Sequence, residues 1–129
     1  MSYDVRVTKH DRYLRIEARG TRSLEASEAF FRRIAEEAAA HGIYDILLVL
    51  NLEGRLSTFE IHDMVAGHRE RGFDSRHTIA VVDNNPESRE DTRFAENVGA
   101  VRGLMGAGFD DEEEAVRWLL SRLGDSSSG

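Results

Sequence analysis

The 129-residue chain contains no cysteine, which removes disulfides, thiolate metal sites and thiol nucleophiles from consideration. No apolar run in it approaches the ~20 residues that a membrane span needs. Met1-Ser2-Tyr3-Asp4-Val5-Arg6 also lacks the apolar core of a signal peptide, so a cytoplasmic protein without membrane insertion is expected. Positive charge is scarce: 17 basic residues, of which Lys9 is the sole lysine, face 24 acidic ones, for a net charge of −7. A surface of that average sign repels nucleic-acid backbones and anionic membranes, so neither is expected as a partner. At 40% hydrophobic content the chain has enough apolar material for one core and not enough length for two domains.

The hydrophobic periodicity switches repeatedly between two and 3.6. Val5 and Val7, then Leu14, Ile16 and Ala18, alternate with polar residues around Lys9-His10-Asp11, which predicts a half-buried hairpin over residues 4–9 and 12–19. Ser23 is placed to cap a helix reaching about His41, with Leu24, Phe31, Ile34, Ala35 and Ala38 on one face and Gly42 as its stop. The unbroken run Ile46-Leu47-Leu48-Val49-Leu50 predicts a strand over 44–52 that is buried on both faces. A helix from Thr58 to about Arg71 follows, then a second continuous strand over 78–82. Pro86, the only proline, fits the first turn of a helix that Phe94, Ala95, Val98 and Val101 make amphipathic up to Gly103. A weak strand at about 104–109 leads to a last helix, which Asp111 and Glu114 start with capping-box spacing and which carries Ala115, Trp118, Leu119 and Leu123. Residues 1–123 read as one domain, and Gly124–Gly129 as a disordered polar tail.

This order predicts an α/β fold: a single-domain mixed sheet of about five strands in sequential order, with about four helices. The first pair is antiparallel because its connection is short. The rest are parallel because each crossover contains a helix. Strands 44–52 and 78–82, continuous in apolar residues, belong in the middle, covered by helices on both faces or by helices and a second subunit. Phe59, Ile61, Met64 and Phe73 add more apolar surface than one helix layer obviously covers, so a homodimer is expected.

The element order, the helix starting at Ser57, the strand Ile79-Ala80-Val81-Val82 and the ending Phe109-Asp110-Asp111-Glu112-Glu113-Glu114-Ala115-Val116-Arg117-Trp118-Leu119 resemble the SpoIIAA-like family, relatives of the STAS domains. The resemblance covers roughly residues 4–123 and rests mostly on packing positions. It implies a non-catalytic interaction or regulatory domain that binds a protein partner or a small ligand at the carboxyl edge of its sheet, with no cofactor. The SpoIIAA-like fold is also similar to the lipid-binding CRAL-TRIO fold, which offers an apolar-ligand carrier as the alternative. Anti-sigma antagonists of this type carry a phosphorylatable serine in an Asp-Ser-Ser/Thr-Gly motif where the central strand meets the next helix. The corresponding stretch here, Asn51-Leu52-Glu53-Gly54-Arg55-Leu56-Ser57-Thr58, lacks that motif and leaves Ser57 as phosphoacceptor candidate by position.

The residues of that stretch have simpler readings as well. Ser57-x-x-Glu60 is a capping box and Leu56 with Ile61 has hydrophobic-staple spacing, which explains Ser57 without chemistry. Arg22, Arg55 and Arg89 each follow a strand or open a helix, on the edge where helix N-termini point, so together they could hold an anion. Glu53, Asp83 and Glu87 would oppose them. The candidate binding rim is therefore Arg22, Asn51, Glu53, Arg55, Ser57, Thr58, Asp83 and Asn84, reached through the segments 21–23, 51–57 and 83–88. His62 and His68 are six residues apart, not the i, i+4 spacing that brings two imidazoles to one metal. No metal is expected. His62-Asp63 beside Ser57 does not form a hydrolytic triad, because adjacent helical residues diverge by about 100° and no strained nucleophile turn precedes them. Gly103-x-x-Gly106-x-Gly108 follows a helix, the reverse of the phosphate-binding arrangement.

Overall fold

The opening alternation folds as a hairpin. Strand β1 (Asp4–Lys9) pairs antiparallel with β2 (Leu14–Thr21), setting Val5 opposite Ala18 and Val7 opposite Ile16. The computed structural model describes residues 3–67, 72–73, 76–91, 93 and 105–128, with side chains through residue 121. Strands β3 (Asp45–Glu53), β4 (Thr78–Asp83) and β5 (Met105–Phe109) add in parallel, giving one sheet in the order β1-β2-β3-β4-β5. The mixed sheet, its sequential order and the central place of β3 match the expectation from periodicity.

Helix α1 (Leu24–His41) starts where the Ser23 hydroxyl accepts the Ala26 N–H at 3.1 Å. It stops at Gly42, whose φ of 66° lies in the left-handed region that a Cβ disfavours. Its face of Phe30, Ile34 and Ala38 is buried on Leu14, Ile16 and Ala18 of β2 and on Ile46 and Leu48 of β3. Each such aliphatic side chain contributes about 1.5–3 kcal/mol on full burial. Successive strand residues point to opposite faces. Leu47 and Val49 therefore turn away from α1 and pack, with Ala80 and Val82 of β4, against Ala115 and Leu119 of the C-terminal helix α3 (Glu112–Ser128). Helices cover β3 on both faces, which accounts for its unbroken apolar sequence. Beyond α3, the same sheet face carries Arg15, Glu17 and Arg19 of β2, and Arg15 reaches Glu112 of α3 through Nε at 2.7 Å. Among the described residues, no helix is long and apolar enough to cross a membrane.

Three boundaries differ from expectation. Helix α2 (Thr58–Ala66) ends at Gly67, whose N–H bonds back to Asp63 and Val65 carbonyls, before the expected Arg71; His68 and Arg71 lie outside the described residues. The helix expected from Pro86 opens with a 3-10 turn, Pro86–Ser88, and continues as α-helix at Arg89–Asp91. Phe94 to Gly103 lie outside the described residues. Finally, α3 runs to Ser128 instead of stopping at Gly124. Glycine only weakens a helix by about 1 kcal/mol, and no proline follows to end it. Gly106 and Gly108 are strand residues of β5, inside the strand expected at about 104–109.

Candidate functional site

Strands β2, β3 and β4 are parallel; β2 and β3 end level at Thr21 and Glu53, β4 ends at Asp83 opposite Leu50, and their following loops meet on one edge. Arg22, the first residue after β2, binds all three loops. Its backbone N–H donates to the Glu53 carbonyl at 2.8 Å. Its Nη1 donates to the Gly54 carbonyl at 3.0 Å and to Ser88 Oγ at 2.8 Å, and its Nη2 donates to Asp83 Oδ2 at 3.0 Å. Gly54 can turn its carbonyl inward because its φ of 83° falls where glycine is favoured.

Asp83 is the counterpart of this clamp. Its Oδ2 also accepts the Ser88 hydroxyl at 2.6 Å, and its Oδ1 accepts the Asn85 N–H at 3.0 Å. The Arg22 and Asp83 side chains are only 8% and 2% exposed. A buried charge is tolerated only when it is paired and hydrogen-bonded, and both carboxylate oxygens meet that requirement. Arg89 adds a bond from Nε to the Asp83 carbonyl at 3.3 Å.

A second chain of polar groups crosses the same edge. Asn51 Nδ2 donates to Glu17 Oε2 at 2.9 Å, and Asn51 Oδ1 accepts from Asn84 Nδ2 at 2.7 Å. Glu17 further receives Arg15 Nη1 at 2.9 Å and Arg19 Nε at 3.0 Å. The Arg15 hydrogen bond is the largest cause that holds the Glu17 carboxyl below its ordinary range, and burial opposes it. Arg15 is in turn pushed up, first by its bond to Glu112.

Arg55 is exposed but not open to a ligand anion on its own terms: its Nε and Nη2 hold both Asp91 oxygens at 2.9 Å. That hydrogen-bonded pairing raises its pKa. Ser57 caps α2 in both directions. Its Oγ accepts the Glu60 N–H at 3.1 Å, and Glu60 Oε1 accepts the Ser57 N–H at 2.9 Å. Thr58 opens the helix, exposed, and the next residue, Phe59, is 78% exposed. A polar groove of about 450 Å3 runs between the segments Asn51–Gly54 and Asn84–Glu87.

The structure thus gathers Arg22, Asn51, Glu53, Asp83 and Asn84 on one rim, with Arg55, Ser57 and Thr58 on the loop and helix start that follow β3. It also separates them by role. Arg22 and Asp83 lie inside the rim, and Glu53, Arg55, Ser57, Thr58 and Asn84 are on its surface. Among the described residues, no group of three His, Asp or Glu side chains could hold a metal ion, and His62 is exposed. Of the four residues behind the expected homodimer, Ile61, Met64 and Phe73 fill the chain's own core and Phe59 alone projects.

No protein-family model matches the sequence, and no curated protein matches it. Solved structures do. An anti-sigma factor antagonist from Mycobacterium paratuberculosis is similar with a TM-score of 0.61 at 15% identity, over 92% of this chain and 94% of that one. An uncharacterized protein with a SpoIIAA-like fold from Shewanella loihica gives a TM-score of 0.53 at 17% identity, again over 92% and 94% of the two chains. The fold is SpoIIAA-like.

Within this SpoIIAA-like fold, sequence reasoning missed Asp91 and the inward role of Ser88, and it read Phe59 as part of a dimer surface. A signal existed for Ser88. Asp83 ends a continuous apolar strand, where burial is expected, and a buried carboxylate calls for a cation and further donors nearby. Asp91 carried no comparable signal, because its role is legible only once the course of the Arg55 loop is known.

Proposed function

We propose that the chain is a non-catalytic regulatory domain that recognises a protein partner through the carboxyl edge of its sheet. The observation that carries this reading is the Arg22 clamp. One buried side chain bonds Gly54, Asp83 and Ser88, so three loops are held in a fixed relation before any partner arrives. A surface organised in advance loses less entropy on association than one that must order itself. On that platform, Phe59 offers an exposed aromatic anchor of the kind that dominates interface energetics. The likeness to an anti-sigma factor antagonist supports a protein, and within that class an anti-sigma factor, as partner.

The pairing of Arg22 with Asp83 and of Arg55 with Asp91 argues against a small anion at the rim and in favour of a partner that meets its exposed acids, Glu53 and Glu87. The same pairing supports a non-catalytic reading, since Asp83 Oδ2, which accepts the Ser88 hydroxyl at 2.6 Å, is also held by Arg22. Phosphorylation of Ser57 remains a separate control that this site would accommodate at the start of α2.

Photo-crosslinking in the native cell tests the reading. A photoreactive phenylalanine analogue at position 59 is expected to form a heterologous protein adduct that the same analogue at position 6, on the far strand β1, does not form. Identical adducts from both positions, or none from position 59, would remove the proposed surface. An adduct of twice the chain mass would instead assign Phe59 to a homodimer.

A further inference from the structure

Strand β1 forms one side of the sheet, and among the described residues no element pairs with its outer edge. Free strand edges are ordinarily blunted by a bulge, a proline, a lysine in mid-strand or a charge turned inward. Strand β1 has none of these. Its register with β2 is unbroken from Asp4 to Lys9, the lysine comes last, and its core-facing side carries Val5 and Val7, with Tyr3 just before them. The direction of its backbone groups follows from the hairpin. His10 N–H donates to the Tyr13 carbonyl at 2.9 Å, and hydrogen-bonded pairs alternate along an antiparallel ladder. Thr8, Arg6 and Asp4 therefore bond to β2, while Val7, Val5 and Tyr3 point their N–H and C=O groups outward. Charge is left over as well. Arg6 stands opposite Glu17 and Asp4 opposite Arg19, yet Glu17 is already held by Arg15, Arg19 and Asn51.

We propose that this edge is a dimerisation surface, on which β1 of a second copy of this chain pairs antiparallel with Val5 facing the second copy's Val5. A two-fold axis perpendicular to the sheet keeps both α1 helices on one face and sets residues of like orientation opposite each other. The pairing can then centre on Val5, Arg6 or Val7. Centring on Arg6 sets two guanidiniums together. Centring on Val7 sets Arg6 against Thr8 and Asp4 against His10, without an Asp–Arg pair. Centring on Val5 sets Asp4 of each copy against Arg6 of the other, in non-hydrogen-bonded pairs where side chains approach most closely. It also joins the outward backbone groups of Val5 to their counterparts and those of Tyr3 to those of Val7, and it lays the two half-buried Val5 side chains together. The charge pattern of β1 is self-complementary in that one register, which selects a second copy over an unrelated strand. The surface goes beyond the partner rim and is separate from α2, whose Ile61 and Met64 fill the chain's own core.

Sedimentation velocity of the full chain, from low to high micromolar concentration, tests the proposal, with circular dichroism reading the fold of each variant. Wild type is expected to dimerise as concentration rises. Arg6→Asp alone sets like charges opposite each other on both sides of the centre, and so does Asp4→Arg alone, so each should weaken self-association about tenfold or more. An equimolar mixture of the two single variants restores every opposite-charge pair and should dimerise as wild type does, a rescue that loss of fold would not produce. Val5→Pro removes an outward N–H and spares the ladder to β2, and it should abolish the dimer. Phe59→Ala should leave the dimer unchanged. Wild-type protein that stays monomeric throughout would overturn the second copy as occupant of the edge. Undiminished dimers of the folded single variants, or a mixture no tighter than its components, would overturn the pairing, and a dimer lost with Phe59→Ala would assign self-association to α2. The mixing experiment decides the matter even if Val5→Pro does not fold.

Discussion

Arg22 and Asp83 form an ion pair of 3.0 Å with both side chains withdrawn from solvent, at the junction of three loops. Breaking such a pair leaves one charge buried and uncompensated, at a cost of about 3–5 kcal/mol, whereas replacing both partners by apolar side chains of similar volume is often neutral. Asp83→Leu and Arg22→Met are therefore each expected to destabilise strongly, and the two together to cost less than the sum of the single losses. Urea denaturation of the two single variants and the double variant closes this cycle; additive losses would mean that the pair is not coupled.

The clamp also shows how far the sequence alone could be read. The hairpin, the two continuous central strands and the crossovers were legible because period and burial are strongly linked, and a one-residue slip would turn Leu47 and Leu48 to the wrong faces. Sequence could place Arg22, Glu53 and Asp83 on one edge. It could not tell that Arg22 turns inward to Asp83 while Arg55 turns across to Asp91, since both arginines follow strands and both have acids nearby. Whether a rim arginine meets a ligand or its own chain is set by loop geometry, over sequence separations of 61 and 36 residues.

Ser57 and Glu60 satisfy each other's helix-start groups, and the chemistry of capping fixes what substitutions should do. Ser57→Ala is expected to cost about 0.5–2 kcal/mol, and Ser57→Asp, a good cap itself, to be close to neutral. Thermal denaturation measures both. Should stoichiometric phosphate be found on Ser57 in protein from its native cell, together with altered capture of the partner, the serine would be a switch as well as a cap.

Glu17 links stability to pH. Its carboxylate accepts from Arg15, Arg19 and Asn51 in the folded chain and loses those donors on unfolding, so its folded pKa lies below the ordinary value of 4.5. A depressed carboxylate contributes stability that is fully present above the unfolded pKa and lost as pH falls through the folded one. The gap in unfolding free energy between wild type and Glu17→Gln should thus be constant near neutrality and shrink as pH is lowered below 4.5. A gap that does not change down the acid limb would show that Glu17 titrates alike in both states.

Phe59 separates the partner surface from the fold. At 78% exposure it buries little in the folded chain, and substitutions at such surface positions usually change stability by no more than about 0.5 kcal/mol. Its neighbours Ile61, Met64 and Val65 do the packing of α2, so Phe59→Ala should leave the denaturation midpoint essentially where it is. An aromatic at the centre of an interface behaves oppositely, costing about 2 kcal/mol or more of affinity when truncated. For the protein that crosslinks at position 59, Phe59→Ala is expected to weaken binding by roughly thirtyfold with the folded state intact. Titration calorimetry with that protein reads the affinity and denaturation reads the fold. A lost fold with affinity retained per folded molecule would place Phe59 in the core and not at the interface, while unchanged values of both would leave the rim without its anchor.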